Sequence, residues 1–74
     1  MKFNIGDYVK VKRVTNLHQT ECINAVGMIY IIPDNTYDFY HIKFLDENLK
    51  RFNRCFDEDE LELADDDEIM IELL

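Results

Sequence analysis

Short runs of alternating apolar and polar residues, cut apart by turn signals, constrain this chain more than any other feature. In residues 7–14 the alternation has period two, so Val9 and Val11 share one face of a strand and Tyr8, Lys10 and Lys12 the other. Gly6 and Asp7 in front of it form a turn signal. Residues 25–32 are rich in β-branched side chains and stop at Pro33, Asp34 and Asn35, where proline cannot donate to a sheet ladder. Gly27 inside that run predicts a bulge or sharp bend. Residues 37–44 form a third strand, with Tyr40, Ile42 and Phe44 on one face and Phe39, His41 and Lys43 on the other. Asp46, Glu47 and Asn48 turn the chain into a weaker fourth strand over residues 49–56. Residues 57–60 make a tight turn, with a single 3₁₀ turn as one form, before a short strand at residues 61–63.

Between the first two strands, residues 15–24 are polar and aperiodic and read as the longest loop. The end of the chain supports two patterns. Ile69, Met70 and Leu73 would line a short helix; Ile69, Ile71 and Leu73 would line a strand. The whole chain has 74 residues, enough for one domain and only a small core. Many short strands at this length predict an all-β fold, and a five-stranded barrel is the economical form because closure hides the sheet edges. The expected division is a barrel over residues 1–63 and an acidic-apolar tail over residues 64–74.

The recurring positions are Phe3-x-x-Gly6-Asp7-x-Val9-x-Val11, Gly27-x-Ile29, Tyr40-x-Ile42-x-Phe44 and Phe56-x-x-x-Glu60-Leu61. This pattern resembles the SH3-like barrels of the KOW and translation-protein type over residues 3–63. The resemblance implies a docking role for RNA, DNA or protein, or a place as a small accessory subunit of an enzyme complex. Fold alone does not decide among these. The chain departs from the pattern in its acidity and in the tail beyond Leu63.

Charge is distributed unevenly. Residues 1–56 carry eight basic and six acidic side chains; residues 57–74 carry ten acidic ones and no basic one, for a net charge of −8. Asp57, Glu58, Asp59, Glu60, Glu62, Asp65, Asp66, Asp67 and Glu68 fall within twelve residues. Two like charges about 4 Å apart repel by about 1 kcal/mol even in water, so this clustering opposes folding. It is either a solubilising surface or an electrostatic footprint for a basic partner. On the small rigid scaffold such a run is similar to the phosphate-like surfaces of phage-type inhibitors of nucleic-acid enzymes.

Basic residues Lys10, Lys12 and Arg13, with Lys50, Arg51 and Arg54, form a candidate stripe for single-stranded nucleic acid. The acidic segment competes for the same cations, and internal ion pairing of the stripe is the favoured reading. Tyr8, Tyr30 and Phe39, with Tyr37 and His41 nearby, are expected on the solvent side of adjacent strands. Such rings either grip a proline-rich or cationic ligand or pack beneath Ile69, Met70 and Leu73.

Catalysis and metal binding have weaker support. His18 and Cys22 are spaced like a nucleophile and base, without an orienting group or pocket. His18, Cys22, His41 and Cys55 include no Cys-x-x-Cys pair, so no metal site and no cofactor is expected, and the two thiols are expected to be reduced. No apolar run nears the roughly 20 residues that span a bilayer, and residues 1–7 lack a signal-peptide core, which together predict a cytoplasmic protein without membrane contact. The expectation is a non-catalytic protein-binding module whose acidic face, with the outer aromatics, docks on a basic surface of a larger protein, such as a nucleic-acid-handling enzyme. Direct nucleic-acid binding is the alternative.

Overall fold

The computed structural model describes residues 2–50 and 55–74. The middle of the expected fourth strand, and with it Arg51 and Arg54, lies outside the described residues. The strands are β1 (Tyr8–Val11), β2 (Val26–Ile31), β3 (Tyr40–Phe44), β4 (Cys55–Phe56) and β5 (Leu61–Leu63), followed by a helix α1 (Asp66–Leu73). They form one antiparallel sheet in the order β4-β3-β2-β1-β5.

The short link between the two edge strands bends this sheet. β4 ends at Phe56 and β5 begins at Leu61, and five extended residues reach at most about 18 Å. Part of the link is a 3₁₀ turn, Glu58–Glu60, which rises only about 2 Å per residue. A flat five-stranded sheet would hold its edges about 19 Å apart. The sheet therefore curls until its edges approach. It is nevertheless open by hydrogen bonding, since no pairing among the described residues joins β4 to β5. The expected edge-hiding closure is replaced by curvature, because the link is wound into a turn where a closing ladder would run.

Curling creates one inner face. Phe3, Val9, Val11, Cys22, Ala25 and Ile29 pack there with Tyr40, Ile42, Phe44, Leu49, Phe56 and Leu61. The Phe3 ring meets Tyr40 edge-on at 5.4 Å, and Phe44 meets Phe56 at 6.1 Å. Edge-to-face rings place positive ring edges against negative faces. The Phe3 N–H also donates to the Tyr40 hydroxyl (3.3 Å), which satisfies a phenol buried in apolar surroundings.

Several boundaries differ from the sequence-based expectation. Residues 15–24 are not irregular: Leu17–Cys22 is a 3₁₀ helix whose N-cap, Asn16, accepts from the His18 N–H at 2.9 Å. It delivers Gln19 and Cys22 to the interior. The third strand begins at Tyr40 and not Tyr37, because the Asp34 carboxylate accepts from the Thr36 and Tyr37 N–H groups (2.7 and 2.9 Å) and holds the loop closed. Gly27 is not a bulge. It pairs regularly with Val9 and Phe44, and the register shift falls between Ile29 and Ile31.

Gly27 is required for a different reason: a Cβ there would come within 2.8 Å of the Lys43 carbonyl oxygen and 3.1 Å of its carbon. These are backbone atoms of β3 and have no rotamer to change. Gly6 sits at φ +93° in the turn before β1, where its N–H donates to the Ile29 carbonyl (2.8 Å).

The tail resolves as a helix. Val26 is a direct cross-strand partner of Lys10 and so lies on the outer face of the sheet, yet it is 2 % exposed. α1 covers it, with Glu68, Ile71 and Glu72 bordering a hollow shared with Lys10, Asn24 and Val26. Among the described residues no helix is long and apolar enough to cross a membrane. Gly27→Ala is expected to lower the unfolding free energy by about 1–3 kcal/mol, as overpacking against fixed backbone does, read from urea midpoints at constant slope.

Candidate functional site

The acidic segment divides into carboxylates that build the fold and carboxylates that do not. Two Asp-x-x-Glu repeats organise it. At Asp57, the backbone N–H donates to the Glu60 carboxylate (2.8 Å), which starts the 3₁₀ turn. At Asp65, the side chain accepts from the Glu68 N–H (2.8 Å) while the Asp65 N–H donates back to Glu68 (3.1 Å). Each repeat satisfies N–H groups that a helix start leaves without partners. The negative charge of the first turn also suits the positive end of the α1 dipole.

Glu60 is a correction to the expected docking set. It is 4 % exposed, and its second carboxylate oxygen accepts from the Thr15 N–H (3.0 Å) and hydroxyl (3.3 Å). Its own carbonyl accepts from the Lys12 N–H (2.9 Å). With three donors consumed internally, Glu60 has no surface to offer a partner. It ties the β4–β5 link to the segment after β1.

Cations of the expected basic stripe are drawn into the same region. Lys10 lies opposite Glu62 in the ladder and pairs with it at 3.2 Å, and it also pairs with Glu68. Arg13 pairs with Asp59, and its Nε donates to the Asp59 carbonyl at 3.2 Å. The Arg13 pair is exposed and the Lys10 pairs half-buried at the surface, where ion pairs are individually weak. They direct Lys10 and Arg13 toward carboxylates of the same chain. Glu68 holds Lys10 protonated beyond its ordinary range, and Lys10 holds Glu68 below the ordinary glutamate range.

The remaining acidic residues of the expected set, Asp57, Glu58, Asp66 and Asp67, are exposed. On α1, Asp66 and Asp67 lie one turn before Met70, and Met70 one turn before Leu73 and Leu74. Met70 is 61 % exposed and Leu73 67 %. Glu68, Ile69 and Glu72 are half-buried on the side toward the sheet, and Ile71, at the border of the hollow there, stays 70 % exposed. The outward side of α1 is thus acidic at its start and apolar at its end.

Asp57 and Glu58 border a separate cleft of about 400 Å³. Tyr40 and Phe56, adjacent in the β3–β4 ladder and buried, form its base. Phe39 and Asp38 come from the loop before β3, with Pro33 beside them.

The expected aromatic cluster is divided. Tyr30 and Tyr37 meet His41 edge-on at 6.0 and 5.2 Å. Tyr8 lies instead with Met28 and Lys43, and Phe39 faces the cleft. α1 seats over Val26 and leaves all four rings between 37 and 41 % exposed.

The spacing of His18 and Cys22 does not produce a pair. His18 is exposed while Cys22 is in the core, where burial first and the nearby Glu21 second push its thiol up. The pairing lies elsewhere: Cys55 and His41 are cross-strand neighbours, with Sγ 3.4 Å from Nε2 and 3.6 Å from Nδ1. Burial also raises the Cys55 thiol, away from the thiolate that nucleophilic chemistry uses. Among the described residues no three His, Cys, Asp or Glu side chains converge as metal ligands would. Comparison of the chain with protein-family models, curated proteins and solved structures returns no match.

Glu60→Ala is expected to cost about 1–3 kcal/mol in chemical denaturation, since it removes a buried carboxylate from three part-buried hydrogen bonds. Glu58→Ala should stay within about 0.5 kcal/mol of the parent. Glu68 is depressed in the folded state, so its support for α1 is complete above the ordinary glutamate value of 4.5 and is lost as pH falls through the lower folded value. Lys10 is raised, so its support is complete below 10.5 and is lost above the raised folded value. Val26 methyl resonances should therefore show α1 seated between these limits, with the acid-side transition absent in Glu68→Gln.

Proposed function

We propose that the chain is a non-catalytic protein-binding module of SH3-like type whose acidic C-terminal face docks on a basic surface of a larger protein. The observation that carries this reading is the outward side of α1. Exposed Met70, Leu73 and Leu74 adjoin Asp66 and Asp67, and no ion pair among the described residues compensates those two carboxylates. Apolar side chains supply the buried anchors of an interface, and the charges steer encounter and set orientation. Anchors spaced three and four residues apart fit a groove that accepts one side of a helix. The partner's groove is apolar at its floor and basic at its rim, a chemistry that surfaces built to hold phosphates supply.

Two further observations support the module reading. The curl imposed by the β4–β5 link, and the burial of Phe3, Val9, Val11, Ile29, Tyr40, Ile42, Phe44, Phe56, Glu60 and Leu61, agree with an SH3-like scaffold. The raised thiols of Cys22 and Cys55 weigh against nucleophilic catalysis.

A second reading, direct binding of single-stranded nucleic acid, is favoured by Tyr8, Met28 and exposed Lys43 on the opposite part of the outer sheet face. Capture from the native cell, followed by calorimetry with the purified partner, separates the two. Under the docking reading, Met70→Ala with Leu73→Ala weakens the complex about tenfold or more, and Asp66→Asn with Asp67→Asn flattens its salt dependence. RNA or DNA bound by the intact chain at physiological salt, and weakened by Lys43→Ala, would reverse the order.

A further inference from the structure

The cleft at the end of the β3–β4 ladder, where the loop before β3 meets the turn after β4, is a second concave feature. We infer that it receives the guanidinium of an arginine side chain presented by a protein partner. The inference rests on the docking reading in one respect only, that the ligand belongs to a protein; the cleft itself is argued from its own lining.

At about 400 Å³ it lies near the small end of ligand-sized clefts, which run from about 300 to 1,000 Å³. That size suits one side chain and not an extended cofactor. The lining combines two chemistries. Phe39 stands at one wall 41 % exposed and supplies the accessible ring, while Tyr40 and Phe56 behind it are 2 % and 0 % exposed and only close the cleft from the core side. Asp38 on one side, and Asp57 and Glu58 on the other, are exposed carboxylates contributed by separate stretches of chain. Among the described residues no lysine or arginine borders the cleft, and none of the three carboxylates belongs to an ion pair there.

An apolar ligand would face three charges there, and an anion would be repelled by all of them. A cation is selected. Between the two cationic side chains, the geometry favours arginine. A guanidinium is planar, stacks on ring faces and gives paired hydrogen bonds to carboxylates while shedding water more readily than an ammonium. Lysine offers a compact, strongly hydrated point charge that leaves the Phe39 ring without a flat partner.

The test is an NMR titration of the full-length chain with three blocked tripeptides, glycine–X–glycine, where X is arginine, lysine or citrulline. Citrulline keeps the planar shape of arginine and removes the charge. The expected result is saturable movement of the Phe39 ring signals and the Asp38 and Glu58 amides with the arginine peptide, weaker movement with lysine and none with citrulline. Asp38→Asn and Glu58→Gln, both exposed and outside the hydrogen bonds that build the turns, should each weaken arginine binding about two- to fivefold. Asp66→Asn with Asp67→Asn should leave it unchanged. Equal affinity for lysine, shifts confined to α1, or no shift at the cleft would overturn the inference. None of those outcomes touches docking through α1, which stands or falls on the Met70, Leu73, Asp66 and Asp67 variants.

Discussion

The buried carboxylate of Glu60 is the interaction on which the acidic end of this molecule depends. The chain must pass from one edge of the sheet to the other in the few residues between Phe56 and Leu61, and it does so through a tight turn across the curled sheet. Glu60 closes the turn on the Asp57 N–H and fastens it to Thr15, 45 residues away in the chain. β5 then lies against β1 with Leu61 in the core, and α1 follows from its end. A charged group is an expensive fastener unless every strong acceptor site is used. Here two backbone donors and a hydroxyl engage both of its oxygens.

Much of the scaffold was legible in the chain. Alternation around Val9 and Val11, and around Tyr40, Ile42 and Phe44, identified the inner face correctly, because a half-buried strand must repeat every second residue. The turn before β5 was also visible. Three other features required knowledge of distant neighbours. Gly27 reads locally as a bend, and only the closeness of the β3 backbone shows that it permits packing. Glu60 reads as one more surface charge in an acidic run, since its partner Thr15 is set by the fold. The outer aromatic residues are exposed as the alternation implies, but their grouping is not legible, because the bulge at Tyr30 and the loop at Asp34 divide them among separate places.

A signal for the acidic segment was nonetheless available. Asp57 with Glu60, and Asp65 with Glu68, share one spacing, and that spacing reports the start of a helical turn. Negative charge at these positions therefore serves local structure first. Only after the capping groups and the carboxylates facing Lys10 and Arg13 are set aside does a smaller group remain, on α1 and at the cleft. Like-charge repulsion within the segment is tolerated because part of it is offset at each helix start.

The seat of α1 over Val26 has a further consequence. Eight residues are too few to hold a helix in water, where about 12–15 are needed even for favourable sequences. The sheet thus acts as a splint. Lys10 and Val26 keep the backbone of α1 wound, so the ordering that a free peptide would undergo on contact has already taken place. A partner that pulled the helix off its bed would melt the shape it grips and bare Val26 to water. The molecule is suited to presenting this short element in place, at a fixed angle, and poorly suited to surrendering it.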